Sequence, residues 1–149
     1  MKKSFKSRFT AVAAVAALLF SLTVSAQDKK ITAAQLPATA QNFIKQHFKG
    51  QTVTSAQLDK EMFDNDYETV LSNGVKINFD ANGNWDEIES AIGLPSSVIP
   101  KAINTYLAAN YKGQKVVQID RKRAGHDIEL SNGTELEFDA NGKFLRIDD

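Results

Sequence analysis

The chain has 149 residues, 18 acidic and 18 basic side chains for a net charge of zero, and no cysteine. Disulfide scaffolds and thiolate metal centres are thereby excluded, and the length leaves room for about one ordinary domain. The lack of a basic excess argues against a nucleic-acid partner, because phosphate binding needs a concentrated stripe of Lys and Arg.

The first 26 residues stand apart from the rest. "MKKSFKSR" carries Lys2, Lys3, Lys6 and Arg8 and no acid, and the apolar run "FTAVAAVAALLFSLTV" follows it, with Val24 and Ala26 at small-residue positions. A charged start, a short apolar stretch and a small-residue exit describe a secretory signal peptide over residues 1–26, cut before Gln27. The expected product is periplasmic or secreted, with no membrane span after cleavage. Four of the 18 bases and none of the 18 acids lie in the leader, so 14 bases face 18 acids beyond it, a net charge of −4. Residues 27–149 are then expected to form a single domain.

That domain is written twice. "LSNGVKINFDANGNW" (Leu71 to Trp85) returns as "LSNGTELEFDANGKF" (Leu130 to Phe144), and "NFIKQHFKGQTV" (Asn42 to Val53) returns as "TYLAANYKGQKV" (Thr105 to Val116). The copies span about 31–90 and 94–149, joined by "ESAIGLPSS". The helical segments align at a spacing of 63 and the hairpins at 59, so the first copy holds four extra residues. The stretch "KEMFDND" reads as a longer loop there. Such paired units share a core that neither closes alone.

In each copy the pattern starts helical. Leu36, Ala40, Phe43, Ile44 and Phe48 fall on one helical stripe, as do Ile99, Ile103, Tyr106, Leu107 and Tyr111. Pro37 and Pro100 suit first-turn positions, and Gly50 and Gly113 suit left-handed caps at the far ends. Four short strands follow each helix. Val75, Ile77 and Phe79, and again Thr134, Leu136 and Phe138, form buried rows, while Lys76, Asn78 and Asp80, or Glu135, Glu137 and Asp139, form wet ones. The run "RKR" at Arg121 to Arg123 reads as a solvated or edge-strand charge cluster that discourages sheet-to-sheet pairing.

The NG pairs, Asn73-Gly74 and Asn132-Gly133, predict two-residue hairpins with positive backbone angles. The DANG stretches predict a type I turn closed by a left-handed glycine and a bulge. Asp80, Asn82 and Asn84 alternate like the start of an EF-hand loop, but the required glycine and bidentate glutamate are replaced by Trp85 and Ala91. No metal and no cofactor is therefore expected. His47 reads as a helix-border residue, and His126, aligned with Tyr67, as a half-buried ring with a polar tip. Neither stands near a nucleophile motif, and the acids of the wet rows read as solvated, so no catalytic residue is assigned and the chain is read as a non-enzyme.

Two aromatic residues occupy matched positions just after the DANG turns, Trp85 and Phe144. Simple alternation turns them outward if Ile88 and Ile147 face the helices; a bulge would instead re-aim both into the core. On the outward reading they anchor a binding surface completed by Lys76, Asn78, Glu135 and Glu137, since buried aromatic anchors on a polar face characterise protein interfaces.

The unit "LPATAQNFIKQHFKG … YETVLSNGVKINFDANGNWDEIE", repeated once behind a leader, resembles the beta-lactamase-inhibitor-like, PepSY-like periplasmic proteins of bacteria. The resemblance implies an α+β fold of two tandem α-β4 repeats like that of the beta-lactamase inhibitor protein, with one antiparallel sheet and the helices on one face. It does not imply beta-lactamase inhibition, since this chain lacks the disulfides of that inhibitor, although the PepSY name suggests peptidase inhibition. The expected function is a protein-binding module for an unknown envelope protein, with inhibition of an envelope hydrolase or peptidase as its specific form, acting through the open sheet face. The alternative is a small apolar ligand or lipid binder that uses the gap between helices and sheet.

Overall fold

The computed structural model of the protein describes residues 28–60 and 65–148. The leader expected over residues 1–26, and most of the loop expected within "KEMFDND", lie outside the described residues.

The two helical stripes become α1 (Ala38–His47) and α2 (Lys101–Asn110). Pro37 and Pro100 are their N-cap residues, one position earlier than a first-turn placement. The missing proline N–H costs nothing there, because the first N–H groups of a helix have no internal partner. Each helix buries one stripe: Ala40 and Ile44 in α1, Ile103 and Leu107 in α2. Gly50 and Gly113 both adopt positive φ just beyond the C-caps Phe48 and Tyr111.

The strands are β1 (Lys29–Lys30), β2 (Val53–Lys60), β3 (Asn65–Leu71), β4 (Lys76–Phe79), β5 (Trp85–Glu89), β6 (Val116–Lys122), β7 (Gly125–Leu130), β8 (Glu135–Asp139) and β9 (Phe144–Asp148). They form one antiparallel sheet whose spatial order is the chain order, β1 to β9. The repeats meet where β5 pairs with β6, in the register Glu87↔Asp120, Ile88↔Ile119 and Glu89↔Gln118. The sheet is therefore continuous across both copies. Lys29 and Lys30 add a short edge strand on β2 that the sequence pattern did not reveal.

Both helices pack on the same face. Phe43 of α1 meets Phe79 edge-on with ring centroids 6.0 Å apart, and Tyr106 of α2 meets Phe138 at 5.4 Å in the same manner. Ile77, Ile88, Ile119, Ile128 and Leu136 run beneath them as one buried layer through both repeats.

The "RKR" run is not at an edge, since β6 lies in the middle of the sheet. Arg121 lays its guanidinium over the Trp85 ring at 4.2 Å, and Lys122 pairs with Asp120 and Asp127. Its charges serve cation–π and ion-pair contacts, while the sheet edge is blunted at the other end by Lys29 and Lys30.

The four NG and DANG turns share one form. In the NG turns Gly74 N–H donates to Leu71 O and Leu71 N–H to Val75 O, and the second copy repeats this with Gly133, Leu130 and Thr134. The DANG turns make the same pair of bonds, Gly83 to Asp80 and Asp80 to Asn84. Only the glycines have positive φ; Asn73 and Asn132 do not, so the expected two-residue turns are three-residue loops. The asparagines act instead through their side chains, each Oδ1 accepting the N–H two residues on, from Val75 and from Thr134. Asp80 and Asp139 likewise cap their own turns: Asp80 Oδ1 accepts from Asn82 and Asn84 N–H, and Asp139 Oδ1 from Asn141 and Lys143 N–H. Although burial opposes it, the hydrogen bonds from Asn84, Asn82 and Gly83 hold the Asp80 carboxyl below its usual value.

The DANG glycines carry a second duty. A Cβ on Gly83 would stand 2.7 Å from Pro37 Cβ and 2.9 Å from the Ala40 nitrogen, and one on Gly142 would stand 2.8 Å from Ala102 Cβ. The turn is where the start of each helix seats on the sheet.

Candidate functional site: the open face of the sheet

Opposite the helices, among the described residues, no element covers the sheet. Strand alternation and register place Asp59 of β2, Asp66 and Glu68 of β3, Glu87 and Glu89 of β5, and Asp120 of β6 on this face. Asp127 and Glu129 of β7, Glu135 and Glu137 of β8, and Asp148 of β9 continue it. Against these eleven carboxyl groups the strands set four cations, Lys30, Lys76, Lys122 and Arg146. Three of them are paired: Lys76 with Glu89 at 3.5 Å, Arg146 with Glu137 at 2.6 Å, and Lys122 with Asp120 and, at 3.8 Å, Asp127. The excess of acid is therefore a property of the whole face.

A buried polar knot lies at its centre, on the seam between the repeats. Glu87 accepts hydrogen bonds from Asn78 Nδ2 at 3.1 Å and from Gln118 Nε2 at 2.6 Å. Glu87 and Asn78 are each 5% exposed and Gln118 4%, shielded by neighbouring side chains rather than by a covering layer. Burial, reinforced by repulsion from Asp120, Asp86 and Glu89 and only partly opposed by Lys122, pushes the Glu87 carboxyl up from 4.5 to about 7. Burial also raises Asp127 and Glu135, with neighbouring acids adding to the effect in each. Glu87 thus titrates near neutrality, held by two amides rather than by a cation.

The structure divides the six residues expected at the binding surface. Lys76, Glu135 and Glu137 lie on the open face and are half-buried. Asn78 lies there too, but as an inner member of the knot that positions Glu87. Trp85 and Phe144 do not belong to this face, and the outward reading of both is corrected. Phe79 pairs directly with Trp85, and Phe138 with Phe144, while the register shifts by one residue at Asp86 and at Leu145. That bulge resets the alternation so that Trp85 and Ile88 share the helix side. Trp85 is 8% exposed, between Phe43 and the Arg121 guanidinium. Phe144 stacks on Tyr106 with centroids 4.8 Å apart and planes 10° apart.

Glu87 and Gln118 were not singled out by sequence reasoning, although the repeat holds the signal. At the 59-residue spacing Asn78 corresponds to Glu137, and Glu87 to Arg146. The second copy makes an ion pair there; the first copy turns the pair around and leaves its acid with an amide. His126 is half-buried as expected, beside Trp85, and burial with the nearby Arg121 charge lowers its pKa. His47 closes the end of α1 with Nδ1 3.0 Å from Ser97 Oγ. No group of three His, Asp or Glu side chains among the described residues is arranged to hold a metal ion.

Solved structures with this architecture include proteins of two Bacteroides species. A protein of Bacteroides thetaiotaomicron described as a "putative calcium-regulated periplasmic protein" is 39% identical, with a TM-score of 0.78 over 82% of this chain and 97% of its own. A Bacteroides vulgatus protein described as periplasmic is 38% identical, with a TM-score of 0.78 over 84% of this chain and 99% of its own. A second from that species, a periplasmic protein of unknown function, is 36% identical, with a TM-score of 0.78 over 83% and 100%. No curated protein matches the chain. No helix among the described residues is long and apolar enough to cross a membrane. The family model described as "Putative beta-lactamase-inhibitor-like, PepSY-like" matches twice, over residues 22–74 and 65–146, consistent with a tandem arrangement: the chain belongs to that family.

Proposed function

We propose that the protein is an exported, non-enzymatic protein-binding module that inhibits a cell-envelope hydrolase or peptidase through the open face of its sheet. The observation that carries this reading is the bare face itself, a broad platform with eleven carboxyl groups against four cations. The family's inhibitor-like description and the periplasmic descriptions of the solved relatives support it. The partner surface that fits this face is basic. Complementary charge of this kind speeds encounter and selects partners more than it adds raw affinity. The anchors are polar residues of the open face, Lys76, Glu135 and Glu137, in place of the aromatic pair.

Affinity capture from an envelope extract tests the reading. A hydrolase or peptidase retained at low salt, released by raising the salt, and slowed when the free protein is added is the expected result. The double variant Glu135→Lys/Glu137→Lys should lose that partner while melting like the parent. Equal retention by parent and variant would sink the proposal.

A further inference from the structure

A second opening lies on the helix side, where the two repeats meet, and its charge is the reverse of the sheet's. It is a groove of about 690 Å³, between the ends of α1 and the flank of α2. That volume falls within the roughly 300–1,000 Å³ of small-ligand sites. The gap between helices and sheet, by contrast, is filled by the aromatic contacts of Phe43 and Tyr106.

The repeat explains what rims the groove. Both helices point the same end toward it, so the two "KGQ" loops converge, and Lys49 and Lys112 stand at matched positions around one mouth, with Lys115 beside them. None of these lysines makes an ion pair among the described residues, whereas Lys76, Lys122 and Arg146 on the sheet face do. Among the described residues the lining contains no Asp or Glu. Positive charge past a helix C-cap complements the carbonyl end, which accounts for Lys49 and Lys112. It does not account for Lys115, whose Nζ reaches only the Ile92 carbonyl, at 3.4 Å. Nor does it account for Ile92, which stands 62% exposed at the lip, more than any other large hydrophobic residue described. Leu94 and Tyr111 continue the apolar wall inward.

We infer that this groove binds an amphiphilic carboxylate, with its head among Lys49, Lys112 and Lys115 and its hydrocarbon body against Ile92, Leu94 and Tyr111. Exposed lysines attract the anion, the apolar lip covers the chain, and the absence of acid removes repulsion. This site is independent of the sheet face.

Decanoate, below its micelle concentration, is the probe, followed by amide chemical shifts of the full protein. Saturable shifts should gather at Ile92, Leu107 and Lys112 to Lys115, and decanol, of equal length without charge, should bind at least about tenfold more weakly. The variant Lys49→Gln/Lys112→Gln/Lys115→Gln changes only exposed side chains and should lose about tenfold or more in decanoate affinity, with only the small fall in melting temperature that losing two helix-end charges brings. Raising salt on the parent protein gives the same comparison without any substitution. No saturation by about 1 mM, shifts on the sheet face instead, or equal binding of decanol would overturn the inference. So would capture by phosphatidylglycerol vesicles with no response to free decanoate, which would assign the lysines to a membrane surface.

Discussion

Glu87 is the residue at which stability and the proposed surface meet. Its carboxyl titrates near 7 in the folded protein against 4.5 in an unpacked chain, so the native state holds a proton that the unfolded state has released between those values. The stabilisation is full below about pH 4.5 and is lost as pH rises through about 7. The interval corresponds to about 3 kcal/mol at most, less whatever solvent screening removes. Denaturant melts of the parent and of Glu87→Gln should therefore diverge with rising pH, the variant becoming the more stable of the two near pH 8. Parallel stability curves from pH 5 to 8 would show that Glu87 is not buried as described. Trp85 gives a second test at this scale. Packed beneath α1, it should cost about 3 to 5 kcal/mol when truncated in Trp85→Ala, and the half-buried Phe144 somewhat less. A surface anchor would leave folding within about half a kcal/mol. The sequence could not decide between these outcomes, because both rest on where one bulged residue falls, and Asp86 and Leu145 carry no shared signature of a bulge.

At the scale of elements, more was readable. The helical stripes from Leu36 to Phe48 and from Ile99 to Tyr111, the strand alternation of Val75, Ile77 and Phe79, and the repeat itself all appear in the structure, because each is a local periodicity imposed by one buried face. What escaped was set by contacts distant in sequence: the β1 edge, the central place of "RKR", and the amide clamp from Gln118 onto Glu87. The turns fall between these cases. Asn-Gly announced a hairpin correctly, yet the turn chosen was the three-residue form, with asparagine used as a side-chain cap. The glycines of these loops differ in a way that a substitution can read. A Cβ on Gly74 meets nothing within 4 Å, so Gly74→Ala should cost about 1 kcal/mol for its positive φ of 83° alone. At Gly83, with the same φ, Pro37 and the α1 backbone block the added carbon, and Gly83→Ala should cost clearly more, about 2 to 4 kcal/mol. Equal melting temperatures for the two variants would show that α1 does not seat on the DANG turn.

Across the whole molecule, the two repeats share their seam through Ile88 and Ile119, both fully buried. A fragment of residues 27–90 leaves Ile88 uncovered on one side, and its core is too small for a chain of that length without disulfides. It should melt without a cooperative transition in calorimetry, whereas the whole protein should melt in one. The strand order has a further consequence, for kinetics. Every ladder joins strands that are neighbours along the chain; the two-residue β1 docks on β2 across α1, and otherwise no pairing must wait for a distant segment, apart from the step across α2. Sheets usually form slowly because their partners are remote in sequence; this one is laid down in the order of synthesis, and its low contact order favours refolding on the millisecond scale. The exception sets the timing. A chain emerging from its N-terminus would hold the first hairpins open and reversible until β6 arrives, and only then would the molecule lock.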